Sequence, residues 1–116
     1  MVTRLTKGRL KVTISETRAE LGEVAAREVG AYIRSLLETQ PEVNIIFASA
    51  PSQNDFLANL LLEEIDWSRV NAFHMDEYIG IDPHAPQAFG QFLRDRIFSK
   101  KTFKSVNYID PKAADP

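Results

Sequence analysis

The sequence predicts an α/β fold in which helices flank an open, Rossmann-like parallel sheet. Short apolar runs with strand character alternate along the chain with longer stretches whose apolar residues recur at helical spacing. The order is βαβαβαβ, and strands that are joined through helices pair in parallel with right-handed crossovers. The run at residues 43–48 is almost wholly apolar, which is typical of a strand covered on both faces.

The first predicted strand, at residues 11–15, leads into the longest predicted helix, at residues 17–39. Thr17 and Glu20 form the T-x-x-E pattern of a capping box at its start. Pro41 ends it, because proline removes a backbone donor and clashes with the preceding turn. The apolar stripe of this helix predicts one face packed on a sheet.

The rest of the chain repeats this alternation. The strand at residues 43–48 leads to a second helix, and a third strand is predicted at residues 70–75. A third helix begins near Pro86, a residue favoured at the first helical position. The fourth strand occupies residues 105–109, and residues 111–116 form a tail. We expect residues 1–116 to form a single domain, because the chain has the length of one domain.

Composition excludes several classes of function. The net charge of −2 and the sequence pI near 5.7 give no reason to expect a nucleic acid or a membrane surface as partner. The chain contains no cysteine, which excludes disulfides, thiolate metal sites and cysteine nucleophiles. No apolar run approaches the roughly 20 residues of a membrane span, and no signal peptide is visible. We therefore expect a cytoplasmic protein.

The two histidines do not predict a metal site. His74, Asp76 and His84 do not have a recognised ligand spacing, so we expect neither a metal nor another cofactor. His74 falls within a predicted strand, where a core histidine with satisfied hydrogen bonds is the simpler interpretation.

Ligands of open parallel sheets bind beyond the carboxyl ends of the strands. This rule selects the loop ASAPSQNDF, residues 48–56, as a first candidate site. Ser49, Ser52 and Gln53 carry donors that suit a phosphate, whereas Asp55 would oppose one. The alternative is purely structural, with Ser52 as the N-cap of the second helix. The loop has no glycine, so it is neither a P-loop nor a dinucleotide-binding fingerprint.

The second candidate is the acidic tip of the third strand, within NAFHMDEYIGID, residues 71–82. Alternation along the strand leaves Asp76 at or just past its carboxyl edge, with Glu77 beside it. A carboxylate in such a place suits proton abstraction. The alternative is that Asp76 and Glu77 cap the following turn and that Tyr78 packs on the surface.

Two segments carry a resemblance to a known family. The string at residues 66–70, DWSRV, and the string FHMDEYIGI at residues 73–81 resemble the glucosamine-6-phosphate deaminase (isomerase) family, whose wider group includes the 6-phosphogluconolactonases. In these deaminases a strand ends in F-x-M-D-E-Y-x-G, and a helix then begins near a P-x-S/A-F/Y pattern. Residues 86–89, PQAF, stand in that place. The resemblance runs from the first strand to about Asp110.

The resemblance implies a reaction and roles. Family members open a phosphorylated amino sugar, move a proton between C2 and C1, and release ammonia as the ketose phosphate forms. Asp76 stands where the family has its proton-transfer base, and Glu77 and Tyr78 would shape and support the site. We accordingly expect Asp76 and Glu77 as catalytic residues and Ser49, Ser52, Gln53 and Tyr78 as substrate-binding residues, with a small sugar phosphate as the substrate.

Two departures from the family limit this expectation. The family's phosphate loop is G-G-[ST]-P or close to it, whereas residues 49–52 here are SAPS. Family chains also continue into a G-x-x-G-H-x-A-F-N-type segment and into phosphate-gripping basic residues, which nothing after Asp110 matches. The chain resembles the N-terminal half of such a protein. A shortened form, an incomplete gene, or a partner that completes the sheet would account for this, and we expect a homo-oligomer or a missing C-terminal half.

Three functions follow as competing hypotheses. The first is the isomerase and deaminase, inactive as this chain alone. The second is a non-catalytic sugar-phosphate sensor on the same fold. The third is a phospho-receiver domain, which has an aspartate at the end of its third strand but also needs paired acids after its first strand. Here the first strand ends Ser15-Glu16, with one acid.

Overall fold

The computed structural model describes residues 1–114, so the last two residues of the predicted tail lie outside the described part. Its strands are β1 (Val2–Lys7), β2 (Leu10–Ser15), β3 (Val43–Phe47), β4 (Val70–His74) and β5 (Ser105–Asn107). Its helices are α1 (Arg18–Leu37), α2 (Asn54–Leu60) and α3 (Phe89–Leu93), and α3 continues as a π-helical segment (Arg94–Phe98). Within this part of the chain, no helix is long and apolar enough to cross a membrane.

The three strands β3, β4 and β5 form a parallel sheet in that order. In the β3–β4 pair, Val43 is aligned with Val70 and Phe47 with His74. On the other side of β4, Phe73 is aligned with Asn107. The predicted α/β class, with a parallel sheet and flanking helices, is confirmed. The carboxyl ends of all three strands consequently meet at one edge.

The first predicted strand does not join this sheet, which corrects the βαβαβαβ order. It is β2, and it pairs antiparallel with β1 in a hairpin that the sequence reading missed. Only Gly8 and Arg9 separate the two strands, and Gly8 has φ = 61°. Two-residue hairpin turns need such a positive φ, which glycine adopts without steric cost. Local pairing through this turn therefore replaces a long-range parallel pairing.

The helices cover one face of the parallel sheet. Side chains on that face are buried with residues of all three helices, and the principal ones are Ile33, Leu37, Val43, Phe47, Leu57, Leu60, Val70, Ala72, Leu93 and Ile97. The opposite face is open, because Ile46 is 68% exposed and Asn44, Phe73 and Met75 are exposed as well. The expectation that both faces of the second predicted strand are covered is therefore wrong for the described chain.

The start of α1 is fixed by its predicted cap. Thr17 Oγ1 accepts a hydrogen bond from the backbone N–H of Glu20 at 3.1 Å. The Glu20 carboxylate reaches back and accepts from the N–H of Glu16, also at 3.1 Å. The helix ends at Leu37, two residues before the predicted boundary, and continues as a turn toward Pro41.

Arg69 anchors the far end of α1 to the start of β4. Its guanidinium and Nε donate to the backbone carbonyls of Leu37, Gln40 and Pro41 at 2.6–2.9 Å. The Leu37 carbonyl lies in the last turn of α1 and lacks a helical partner, so the arginine satisfies it and its positive charge favours the helix dipole. The arginine of the DWSRV string thus fixes the position of the strand that carries the acidic tip.

Close packing of α1 on α2 depends on a glycine. A Cβ added at Gly22 would lie 2.5 Å from the Cβ of Asp55 and 2.8–2.9 Å from backbone atoms of Asp55 and Phe56. Backbone atoms at the start of α2 cannot move aside without shifting the helix. At Gly30, two turns later on α1, the three atoms nearest to an added Cβ are 2.5–3.1 Å away and all belong to the side chain of Glu63, which can change rotamer more easily than backbone can move.

We predict opposite outcomes for two alanine substitutions in α1. Gly22→Ala lowers the free energy of unfolding by about 1–3 kcal/mol through overpacking. Gly30→Ala, as the matched control, gains the same helix propensity, up to about 1 kcal/mol, and loses little. Urea unfolding of both variants measures the difference, and equal stabilities would show that α1 and α2 do not pack as described.

Candidate active site

Asp76 lies in a cavity at the carboxyl edge of the parallel sheet. The cavity has a volume of about 520 Å³. It is lined by Met75, Asp76, Glu77, Tyr78, Ile79, Ile109, Asp110, Pro111 and Ala113. Most of these lining residues are apolar, and the two exposed carboxylates among them are those of Asp76 and Asp110. None of the described lining residues is a lysine or an arginine.

The carboxylate of Glu77 clamps the acidic tip to the start of α3. Its Oε1 accepts from the backbone N–H of Phe89 at 2.9 Å and from that of Tyr78 at 3.1 Å. Its Oε2 accepts from the N–H of Gly90 at 2.9 Å. The first N–H groups of a helix lack intrahelical partners, and a carboxylate satisfies them with charge-assisted bonds. Glu77 thus caps a helix twelve residues away in sequence.

His74 connects this clamp to the next strand. Its Nδ1 accepts from the backbone N–H of Ile109, just past β5, at 3.2 Å. Because Nδ1 accepts, the ring proton belongs on Nε2, which lies 3.4 Å from Glu77 Oε2. The side chains of His74 and Glu77 are 1% and 3% exposed. The expectation of a buried histidine is confirmed, but the expectation that its hydrogen bonds are satisfied is wrong for Nε2, which makes no hydrogen bond within the described residues.

The pKa of Glu77 is set by two opposing effects, its burial and its hydrogen bonds. Burial raises the pKa of Glu77, since it penalises the charged form. The backbone N–H groups of Gly90 and Phe89 lower it, and those of Tyr78 and the His74 ring add to this effect. The hydrogen bonds outweigh burial, so the pKa of Glu77 lies below the ordinary value for glutamate and the carboxylate is charged at neutral pH.

Tyr78 and its neighbours form one wall of the cavity. The Tyr78 ring packs on Phe89 with centroids 4.8 Å apart. Beyond it, Gly80 has φ = 80° and donates its N–H to the carbonyl of Pro111 at 2.6 Å. This turn ties the segment after β4 to the segment after β5, so Asp76 and Asp110 lie in one cavity.

The predicted binding residues of the loop after β3 do not lie together. Ser49 is buried and its hydroxyl donates to the carbonyl of Phe89 at 3.3 Å, which places it beside the Glu77 clamp. Ser52 and Gln53 line a different cavity of about 360 Å³, between the starts of α1 and α2. Asp76 is not among the residues lining that second cavity.

The predicted N-cap role of Ser52 is wrong. Residues Pro51–Gln53 form a 3₁₀ turn that leads directly into α2, and no side chain caps either element. Proline is the reason, because its fixed φ favours the first position of a helical turn and starts that turn one residue before Ser52. The Ser52 hydroxyl is thereby left at the rim of the second cavity.

Two residues that line these cavities were not predicted from the sequence, Asp110 in the first cavity and Arg18 in the second. Asp110 immediately follows the fourth predicted strand, so the carboxyl-edge rule that selected the other two loops also selects it. Arg18, the first residue of α1, lines the second cavity, and only the α1–α2 packing reveals this. Residues 1–114 contain no group of three or more histidine, aspartate or glutamate side chains placed to hold a metal ion.

The sequence of this chain is similar to those of proteins named glucosamine-6-phosphate deaminases. Glucosamine-6-phosphate deaminase 2 of Bacillus subtilis is 24% identical over 111 residues, which cover 92% of this chain and 43% of that protein. A glucosamine-6-phosphate deaminase of Streptococcus pneumoniae is 25% identical over 95 residues, covering 82% and 39%. The chain is therefore similar over most of its length to proteins named glucosamine-6-phosphate deaminases, and it spans about two fifths of their length. The predicted resemblance is confirmed.

Solved structures agree at the level of fold. A monomeric glucosamine-6-phosphate deaminase superposes with a TM-score of 0.73 at 20% identity, covering 87% of this chain and 43% of that one. A 6-phosphogluconolactonase from Thermotoga maritima gives 0.72 at 17% identity, covering 78% and 42%. No general protein-family profile matches the chain. The chain spans about two fifths of the length of these deaminase and lactonase structures.

We predict that Glu77→Gln lowers the free energy of unfolding at pH 7 by about 1.5–3 kcal/mol, the usual range for hydrogen bonds to a charged group. The amide turns an N–H toward one of the backbone donors and leaves it unpaired. Chemical denaturation measures the loss. Glu64→Gln, an exposed change of the same kind, is the control and leaves stability unchanged.

The same pair of variants predicts a pH dependence. A group whose pKa is lower in the folded state contributes stability above its unfolded pKa and loses it as the pH falls through the folded pKa. At neutral pH the unsubstituted chain is therefore more stable than Glu77→Gln. This difference in the free energy of unfolding disappears as the pH falls through and below the ordinary pKa range of a glutamate side chain. A constant difference from pH 7 to pH 3 would contradict a charged Glu77 clamp.

Proposed function

We propose that this chain provides the proton-transfer side of an amino-sugar-phosphate isomerase and deaminase site, with Asp76 as the base. The observation that carries the proposal is the division of labour between neighbouring carboxylates. Glu77 is buried and takes the helix-capping role, while Asp76, one residue before it, opens into the cavity. The sequence relatives named glucosamine-6-phosphate deaminases support the reaction class.

Asp76 has the freedom that a base requires. Within residues 1–114 its carboxylate makes no hydrogen bond or ion pair, so both oxygens can accept a proton from a bound substrate. Proton transfer between C2 and C1 of an opened sugar needs one carboxylate that takes the proton from one carbon and returns it to the other. Moving the proton from C2 to C1 leaves an imine at C2. Water then adds to C2 and ammonia leaves from it, which forms the ketose phosphate.

Glu77 is a positioning residue in this proposal. Its two carboxylate oxygens already accept hydrogen bonds from three backbone N–H groups, and one of them faces the His74 ring. They are therefore not available to accept a proton from a substrate. By fixing the tip of β4 to α3, they hold the adjacent Asp76 in place. A reacting group must be held to well under 1 Å for efficient catalysis, which gives this clamp a functional purpose.

Tyr78 and Ser49 take supporting parts. Tyr78 is half exposed and lines the Asp76 cavity, where a sugar can lie against it. Ser49 donates to the carbonyl of Phe89 and so holds the loop after β3 against the start of α3. A small-molecule sugar phosphate is the substrate that these residues and the relatives together favour.

We predict that glucosamine 6-phosphate shifts the backbone amide NMR signals of residues 75–79 in the 116-residue chain, and that Asp76→Asn weakens this binding by about fivefold or more. The loss follows from removing the negative charge that faces the substrate ammonium group. Asp95→Asn, which changes an exposed acid on the π-helical segment, is the control. Signals at residues 75–79 that do not move in the unsubstituted chain would rule out this site for the amino sugar.

Turnover gives a separate prediction. We expect no ammonia release from glucosamine 6-phosphate by the 116-residue chain alone, because the Asp76 cavity lacks a cation to fix the phosphate. An enzyme-coupled ammonia assay at high protein concentration tests this. Ammonia formation above that of an Asp76→Asn sample would show that the chain is a complete catalyst.

The structure also bears on the two other hypotheses. A sugar-phosphate sensor needs only the cavities and their polar groups, and the SAPS loop, which replaces the family's glycine-rich loop, favours an altered ligand preference. The phospho-receiver hypothesis loses its basis, because Glu16 follows a hairpin strand that is not part of the parallel sheet.

A further inference from the structure

The connection between His74 and the segment after β5 depends on the protonation of one ring nitrogen. Nδ1 of His74 accepts from the backbone N–H of Ile109 at 3.2 Å, and an imidazole nitrogen can accept only while it carries no proton. Nε2 carries the single ring proton, lies 3.4 Å from Glu77 Oε2 and makes no hydrogen bond within the described residues. The neutral ring therefore uses its acceptor for Ile109 and leaves its donor unused.

Few contacts hold the segment that Ile109 begins. In the described part of the chain, two hydrogen bonds join residues 109–111 to the segments around them. One is the bond to His74, and the other runs from the N–H of Gly80 to the carbonyl of Pro111 at 2.6 Å. Ile109 is 44% exposed and adds little packing to these bonds. A segment with so few contacts opens at low cost when one of them is lost.

We propose that His74 is a pH-sensitive latch that releases one wall of the Asp76 cavity when its ring takes up a second proton. The added proton goes to Nδ1, so that two N–H donors, those of the ring and of Ile109, face each other where a donor and an acceptor had met. The bond to Ile109 is then lost. The segment that carries Asp110 is left with a single hydrogen bond to the rest of the described chain.

The charged groups around the ring permit this second proton. Glu77 is ionised at neutral pH, and its Oε2 faces the Nε2–H, which becomes a stronger donor in an imidazolium. From the segment after β5, the Tyr108 ring packs on His74 with centroids 5.9 Å apart. Arg94, on the π-helical segment, opposes a further positive charge but lies over the Tyr108 ring. The neighbouring elements β3, β5 and α3 contain no ionisable side chain. A buried imidazolium thus has a carboxylate partner.

The latch acts on one wall of the cavity only. The Glu77 carboxylate accepts from the N–H groups of Phe89 and Gly90 in either state of the ring, so the end of β4 stays joined to α3. Protonation moves the polar contact of the ring from the β5 side to Glu77. In terms of the proposed function, on which this consequence rests, acidic conditions would withdraw Asp110 from the cavity while Asp76 keeps its place.

The test is backbone amide hydrogen exchange of the 116-residue chain at about pH 8 and about pH 5, an interval in which histidine side chains ordinarily titrate. Exchange rates are compared with those of an unstructured peptide at the same pH, which gives a protection factor. We expect the protection of Ile109 to fall about tenfold at the lower pH, the effect of one hydrogen bond of typical net strength. The protection of Phe89 and Gly90 does not fall, because the Glu77 clamp remains.

Two asparagine variants separate the two histidines of the chain. His74→Asn keeps an acceptor for Ile109, since an amide oxygen accepts a hydrogen bond, but it gains no proton in this pH interval. We expect its Ile109 protection to be the same at both pH values. His84→Asn, the matched control, removes an exposed histidine outside the latch and leaves the fall at Ile109 unchanged.

Three results would overturn the latch. The first is an Ile109 protection that does not change with pH in the unsubstituted chain, a result that requires no variant to fold. The second is an equal fall in His74→Asn, and the third is a fall that Phe89 and Gly90 share. No substrate enters these measurements. If Ile109 behaves as expected while glucosamine 6-phosphate leaves residues 75–79 unperturbed, the latch stands and the proposed role of Asp76 fails.

Discussion

The buried carboxylate of Glu77 is the interaction on which the candidate site depends. It joins the end of β4 to the start of α3 through the backbone N–H groups of Phe89 and Gly90, and His74 extends the connection to the segment after β5. A charge buried without partners costs several kcal/mol, so these elements must stay together for the chain to fold with Glu77 ionised. One side chain thereby sets the geometry of the whole carboxyl edge around Asp76.

The sequence revealed the strands and helices of this edge because their patterns are strong. The apolar runs of β3 and β4 and the T-x-x-E cap of α1 are local signals, and each was located within a few residues. The partner of β2 was missed because the choice between a hairpin and a parallel pairing depends on competition between distant segments. Only the two-residue turn at Gly8 carried a local hint of the outcome.

The site itself was less predictable than the fold. Asp76 was found because a strand end has a fixed relation to the sheet edge. The sequence offered a capping interpretation and a catalytic interpretation for both acids of the pair. In the structure Glu77 caps a helix, whereas Asp76 faces a cavity. That division depends on where Phe89 and Gly90 lie, twelve and thirteen residues later. That Arg18 and Ser52 line one cavity was unpredictable for the same reason, because they are 34 residues apart in sequence and come together only through α1–α2 packing.

The charge of the Asp76 cavity bears on the orientation in which an amino sugar phosphate would bind there. The cavity presents carboxylates and apolar walls, which favour an ammonium group and a carbon chain and repel a phosphate. An amino sugar phosphate carries its positive and negative charges at opposite ends. Because like-charge contacts penalise the reversed orientation, the carboxylates would direct C1 and C2 toward Asp76 and the phosphate away from it.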